Sequence, residues 1–145
     1  MVRLARVQGP PPPASDAAHI VLAEDEPMIG RILEFKLRME GHRVSWVRSA
    51  AAAEELVRAG GVDLLLSDVT LDEDGCALAD RVHRAPWRPP AGVVLMPEQR
   101  DRAAQERARL TGATVVCKPF KPTVVAATLR GLLDAVPPPA ASTDR

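Results

Sequence analysis

The sequence predicts an α/β fold, a five-stranded parallel sheet with helices on both faces, and three observations carry that prediction. Short apolar runs of strand length alternate five times with longer stretches of helical period. Several runs are continuous, as in Ile20-Val21-Leu22 and Leu64-Leu65-Leu66, which marks strands buried on both faces. A length of 145 residues suits one such domain.

The elements follow in order. A first strand is read at His19–Ala23. The helix after it has Pro27 at its start, where a missing amide donor does no harm. Met28, Ile29, Ile32, Leu33, Phe35 and Met39 form a broad apolar stripe along it, and Gly41 ends it. After a second strand at Arg43–Val47, Ser49 is placed to cap a helix that runs to Ala59 and is stopped by Gly60-Gly61. The third strand is read at Val62–Ser67 and the third helix at Gly75–His83, before the loop Pro86–Pro90. A fourth strand, Gly92–Met96, precedes a helix at about Arg100–Leu110. That helix offers only Ala103, Ala104, Ala108 and Leu110 as apolar surface, so shallow packing and mobility are expected. The fifth strand is read at Thr114–Cys117. Its helix begins at Pro122, behind a poor capping residue in Lys121, and carries Val125, Leu129, Leu132 and Leu133 at helical spacing. Outside 19–136, the segments 1–18 and 137–145 contain Pro10–Pro13 and Pro137–Pro139. Such runs lack donors for helix or sheet, and disordered tails are expected there.

Composition removes several function classes. Basic and acidic residues balance at nineteen each, which leaves no bulk charge for nucleic acid or anionic membrane. No window has the apolar length of a membrane span, and the arginines at 3 and 6 are followed by prolines instead of a signal-peptide core, so a cytoplasmic protein is expected. Cys76 and Cys117 have neither metal spacing nor numbers for a disulfide framework, and both read as buried reduced thiols.

Chemistry is expected beyond the carboxyl ends of the strands, where an open parallel sheet forms its crevice. Glu24 and Asp25 follow the first strand, Asp68 the third and Lys118 the fifth, so separate strands aim three carboxylates and one ammonium at one place. Carboxylates so close repel by up to about 4 kcal/mol per pair at about 4 Å and an effective dielectric near 20, unless a proton or cation intervenes. Oxygen ligands without a Cys or His cluster suit Mg2+. A carboxylate beside Mg2+ and a lysine can attack phosphorus to give an acyl phosphate, and Asp68, just after the apolar run Leu64-Leu65-Leu66, is the best placed nucleophile. Lys118 suits the phosphate as a compact point charge, one of only three lysines among nineteen basic residues.

Ala23-Glu24-Asp25-Glu26-Pro27, the run from Asp63 to Asp68, and Lys118-Pro119-Phe120 together resemble the three signatures of a response-regulator receiver domain, over about residues 19 to 136. The resemblance implies a flavodoxin-like (βα)5 fold with strand order 2-1-3-4-5. It implies phosphorylation at Asp68 by a histidine kinase or phosphotransfer protein, with Mg2+ held by Asp25, Asp68 and the backbone carbonyl of Thr70. Glu24 would assist through water. A cis peptide is implied at Lys118-Pro119. Output is expected through a target protein or a homodimer on the surface of the fourth helix, fifth strand and fifth helix. The tails leave no room for a DNA-binding output domain, which points to a stand-alone regulator that is a phosphoacceptor, not an enzyme.

The chain also departs from that family. Met96 stands where the family carries the Thr or Ser that bonds the phosphoryl group, and no Ser or Thr occurs between Leu71 and Leu110. Thr114-Val115-Val116 lacks the switching aromatic. The loop from Asp68 to Gly75 is one residue short, and its acids Asp72, Glu73 and Asp74 read as a solvated rim. The arginines at 100, 102, 107 and 109 read as a solvated helix face. Glu98, two residues past Met96, is a candidate for bordering the path of attacking water. Two further functions stay open: a receiver-like interaction module that works without phosphorylation, favoured by Met96, and an Asp-nucleophile phosphohydrolase. The second is opposed by Thr70, which occupies the place of its second Asp. A flavin-binding site is opposed by Glu24-Asp25-Glu26, which repel phosphate.

Overall fold

The structure, a computed structural model, describes residues 17–137. Apart from residues 17, 18 and 137, the two expected tails lie outside the described residues.

Five βα units are present: β1 (His19–Ala23), α1 (Pro27–Met39), β2 (Arg43–Val47), α2 (Ala50–Ala59), β3 (Leu64–Asp68), α3 (Gly75–Arg84), β4 (Val93–Met96), α4 (Arg102–Leu110), β5 (Thr114–Val115) and α5 (Pro122–Asp134). The strands form one parallel sheet in the order β2-β1-β3-β4-β5.

Alternation along the strands sorts their side chains into two cores. Val21, Ala23, Leu65, Val93 and Leu95 meet α2, α3 and α4 through Ala53, Val57, Leu78, Val82, Ala104 and Ala108. On the other face Ile20, Leu22, Leu64, Leu66, Val94 and Met96 meet α1 and α5 through Leu33, Leu37, Val125, Ala126 and Leu129. Burial on both faces is why the central strands read as continuous apolar runs. Each large aliphatic side chain so buried contributes roughly 1.5 to 3 kcal/mol.

Helix ends follow local chemistry. Ser49 Oγ accepts from the Ala52 amide at 3.2 Å, and Gly60 and Gly61, at φ +96° and +79°, turn the chain out of α2. Lys121 makes no side-chain cap.

Several boundaries differ from the sequence reading. β3 begins at Leu64 and includes Asp68. β5 ends at Val115, and Cys117 lies beyond it, half-buried instead of buried, while Cys76 is buried as expected. α4 starts at Arg102, because Asp101 caps it by accepting from the Ala104 amide at 3.0 Å. Its packing is as shallow as expected, with only Ala104 and Ala108 buried, and Leu110 faces solvent.

The largest correction concerns α1. Its wide apolar stripe divides: Leu33 enters the core, joined by Leu37 from outside the stripe, whereas Met28, Phe35 and Met39 are 67 to 72% exposed and Ile32 is 46% exposed. No helix among the described residues is long and apolar enough to cross a membrane.

Candidate functional site

The order β2-β1-β3 reverses the winding direction between β1 and β3, so a crevice opens beyond their carboxyl ends. Asp68 closes a strand in which every residue is buried, and its side chain is 11% exposed. The loop after it folds back tightly. The Gly75 amide donates to the Val69 carbonyl at 2.7 Å, and Thr70 bridges Asp74. Only glycine fits at position 75, because a Cβ there would overlap the Asp68 carbonyl oxygen and stand 2.9 Å from Val69 Cα.

Glu24 and Asp25 leave the end of β1. Glu24 is fully buried; its Oε2 accepts from the Glu26 amide at 3.1 Å and its own amide donates to the Val47 carbonyl at 3.0 Å. Asp25 is exposed, yet one oxygen each of Glu24, Asp25 and Asp68 lies within 4.8 Å of the others. Lys118 arrives from beyond β5. Its amide donates to the Pro97 carbonyl at 2.8 Å, its carbonyl accepts from the Gln99 amide at 2.7 Å, and the Lys118-Pro119 peptide is cis. Its buried ammonium donates to Asp68 Oδ2 at 3.0 Å and lies 3.1 Å from Glu24 Oε1. Buried Glu24 Oε1 thus has the ammonium as its ion-pair partner and accepts no other hydrogen bond.

The electrostatics follow. Burial, and then the Asp68 charge, push the Glu24 carboxyl from an ordinary 4.5 up to about 7, against the opposing pull of Lys118. Burial works against the charge of Lys118, but Asp68 and Glu24 outweigh it and hold the ammonium above its ordinary value. One ammonium thus serves two buried carboxylates, with a third carboxylate close to both. The oxygen-only donor set and the spacing fit a hard divalent cation such as Mg2+.

A pH dependence follows for the ion-free chain. Folded Glu24 holds its proton more tightly than the unfolded chain does, so the associated stability is complete below about pH 4.5 and is lost as pH rises through about 7. Urea unfolding in the presence of a chelator should show a fall of up to about 3 kcal/mol across that window. Millimolar Mg2+ should flatten it by favouring the ionised carboxylate; a slope unchanged by Mg2+ contradicts this.

The remaining residues of interest fall around the crevice. The Thr70 amide donates to Asp68 Oδ1 at 3.2 Å. Met96 is fully buried and in register with Asp68 on the neighbouring strand, so an apolar side chain stands at that strand end. Glu98 is exposed, bridges Lys118 through the backbone, and borders an open groove of about 810 Å³ with Gln99, Arg100, Arg102, Lys118 and Pro119.

The acidic rim is not merely solvated, as its polarity led us to expect. Asp72 accepts from the Ala50 amide at 2.9 Å, Glu73 pairs with Arg81 at 3.0 Å, and Asp74 caps α3 by accepting from the Cys76 amide at 3.0 Å. Arg107 and Arg109 also have partners, in Asp74 at 3.6 Å and Glu106 at 2.6 Å. Trp46 escaped the sequence reading: its indole Nε1–H donates to the Glu24 carbonyl at 2.9 Å. The available signal was Gly30, since an isolated glycine inside a helix often marks a close approach.

Comparison with known proteins adds a separate line of support. The family model described as response regulator receiver domain matches residues 20–130. The TorCAD operon transcriptional regulatory protein TorR of Escherichia coli K12 is 33% identical over 84 residues, 58% of this chain and 36% of that protein. The DNA-binding transcriptional regulator NtrC of Azospirillum brasilense is 30% identical over 86% of this chain and 26% of its own length. Among solved structures, the signal receiver domain of a signal transduction histidine kinase from Syntrophus aciditrophicus superposes with a TM-score of 0.77 at 28% identity, over 87% of this chain and 97% of that one. The chain spans between about a quarter and about half of the curated relatives it matches.

Proposed function

The chain belongs to the response regulator receiver domain family, and on that premise we propose that Asp68 accepts a phosphoryl group in a Mg2+-dependent reaction and that the modified domain signals through protein contacts. The observation that supports this reading best is the meeting of Glu24, Asp25, Asp68 and Lys118 in one crevice. An Asp68 carboxylate oxygen forms the bond to phosphorus while the donor's bond to phosphorus breaks, its electron pair leaving with the donor. The donor is a phosphohistidine on a histidine kinase or phosphotransfer protein, or a small acyl phosphate. Lys118, already 3.0 Å from Asp68, neutralises charge on the transferring oxygens. Mg2+ would be held by Asp25, Asp68 and the Thr70 carbonyl, with Glu24 acting through water, and would supply further charge neutralisation. Treating the chain with a small phosphodonor and reading its intact mass tests the proposal. One added phosphoryl group, absent under a chelator, is expected; no added mass overturns it.

The exposed half of the α1 stripe supports a protein donor. Met28, Ile32, Phe35 and Met39 line one side of the helix that begins immediately after the acids. Phe35→Ser should slow transfer from a phosphohistidine partner about tenfold, the loss of one buried anchor, while leaving transfer from a small phosphodonor unchanged. Equal rates with the protein donor would remove α1 from that contact. The face formed by α4, β5 and α5, with Leu110 and Val124 exposed, is our candidate for the output partner or a second copy.

Met96 supports a second reading, in which contacts are made without phosphorylation. Its apolar side chain cannot bond a phosphoryl oxygen, and the loop after β4 is already tied to Lys118 by two backbone hydrogen bonds. Losing one charge-assisted hydrogen bond removes about 1.5 to 3 kcal/mol of bias toward an activated state. The two readings separate on partner affinity measured before and after phosphorylation. Glu98 is our candidate for influencing hydrolysis of the acyl phosphate, because its exposed carboxylate borders the groove beside Lys118. Glu98→Ala should speed dephosphorylation about two- to fivefold, the size of an exposed charge effect; an unchanged rate removes the role.

A further inference from the structure

We propose that Trp46 is a positioning residue of the acidic pocket: its indole, seated against Gly30 and bonded to the Glu24 carbonyl, fixes the turn that presents Glu24 and Asp25. The inference rests on the Mg2+-dependent reading above. β1 ends at Ala23, and the next two residues must send one carboxylate inward and leave the other exposed within 4.8 Å of it. Three hydrogen bonds hold this turn. The Glu24 amide to the Val47 carbonyl, at 3.0 Å, continues the sheet ladder, and the Glu26 amide to Glu24 Oε2, at 3.1 Å, acts on the side chain. The third, from Trp46 Nε1–H at 2.9 Å, restrains the peptide unit that joins Glu24 to Asp25, and with it the direction in which Asp25 leaves.

The indole reaches that carbonyl only because α1 makes room. A Cβ on Gly30 would overlap Cζ2 and Cε2 of Trp46 and stand 2.6 Å from Nε1. Glycine inside a helix is destabilising relative to alanine, so the sequence gives up helix stability where the indole docks. Arg48 lies 5.3 Å from the ring centre and adds a cation–π contact. Trp46 itself is half-buried against the core shared by α1 and α5. The ring is therefore held between α1 and a guanidinium, while its single donor serves the turn. Partners that orient a metal ligand from behind change ion affinity without touching the ion.

The test uses the full chain and Mg2+ alone as probe. Trp46→Phe keeps an aromatic ring but removes the donor. Calorimetry should show its Mg2+ Kd raised about threefold to tenfold, the effect of one net hydrogen bond. The Mg2+ concentration that half-saturates phosphoryl uptake should rise by the same factor, which ties the indole to ion binding and not to general stability. Gly30→Ala, which expels the indole, should reproduce the affinity loss. In a Trp87→Phe chain, Trp46 is the remaining tryptophan, and its emission should change on Mg2+ addition with the midpoint that calorimetry gives. This readout leaves Trp46 itself unaltered, so it holds even where Trp46→Phe or Gly30→Ala folds poorly. Native Mg2+ affinity in folded Trp46→Phe, or silent Trp46 emission while Mg2+ binds, overturns the inference alone. No Mg2+ uptake by the parent chain overturns the ion-site reading and this inference with it.

Discussion

Asp68→Asn is expected to abolish phosphoryl uptake while leaving the fold intact. The amide has the shape of the carboxylate and can accept from the Thr70 amide or from Lys118 as Asp68 does, at 3.2 and 3.0 Å. It cannot serve as the nucleophile that forms the acyl phosphate. One of three clustered carboxylates is also lost, so Mg2+ affinity should fall by about tenfold or more. Stability should move the other way. The Asp68 charge is the second cause, after burial, that raises the Glu24 carboxyl, and Lys118 would remain to serve Glu24 alone. The dependence of unfolding free energy on pH in the ion-free chain should therefore become shallower in Asp68→Asn. Intact mass after phosphodonor treatment and urea unfolding at several pH values measure the two effects. Retained phosphoryl uptake would assign the nucleophile to another acid.

Gly75→Ala is expected to destabilise the chain by about 3 kcal/mol or more, the upper range for forcing an extra methyl group into a packed site. Alanine ordinarily improves on glycine in a helix by about 0.5 to 1 kcal/mol. The sign reverses here because the three atoms nearest the new Cβ are all backbone: the Asp68 carbonyl oxygen, Val69 Cα at 2.9 Å and the Val69 carbonyl oxygen at 3.1 Å. No rotamer change relieves such a clash. Either α3 shifts outward or the end of β3 moves, and the second outcome displaces Asp68 from Lys118. Gly131→Ala is the control, since nothing lies within 4 Å of a Cβ there and α5 should gain the ordinary helix preference. A Gly75→Ala chain with parental stability and Mg2+ affinity would show that the loop after β3 adapts more freely than its hydrogen bonds indicate.

Much of the site was legible in the sequence because a parallel sheet brings the carboxyl ends of all its strands to one edge. Once His19–Ala23, Val62–Ser67 and Gly92–Met96 read as strands of one parallel sheet, Glu24, Asp25 and Asp68 had to lie near one another, and Lys118 joined them by following the last strand. Local end signals were legible for similar reasons: Ser49 and the Gly60-Gly61 pair act through their own backbone neighbours.

What only the tertiary structure decided involves partners distant in sequence. Helical period shows that Met28, Ile29, Ile32, Leu33, Phe35 and Met39 share a broad apolar surface, but not which half of it meets the sheet; packing against β1, β2 and α5 turned Leu33, and Leu37 with it, inward and left Phe35 in solvent. Asp72 and Glu73 look like loop polarity until α2 and Arg81 come within reach. The raised carboxyl of Glu24 needs full burial beside Asp68, and the grip of Trp46 needs a helix that lacks a Cβ at Gly30. Periodicity and strand topology determine which residues gather at one edge. Desolvation and contact between elements far apart in the chain determine the charge they carry there and how firmly they are held.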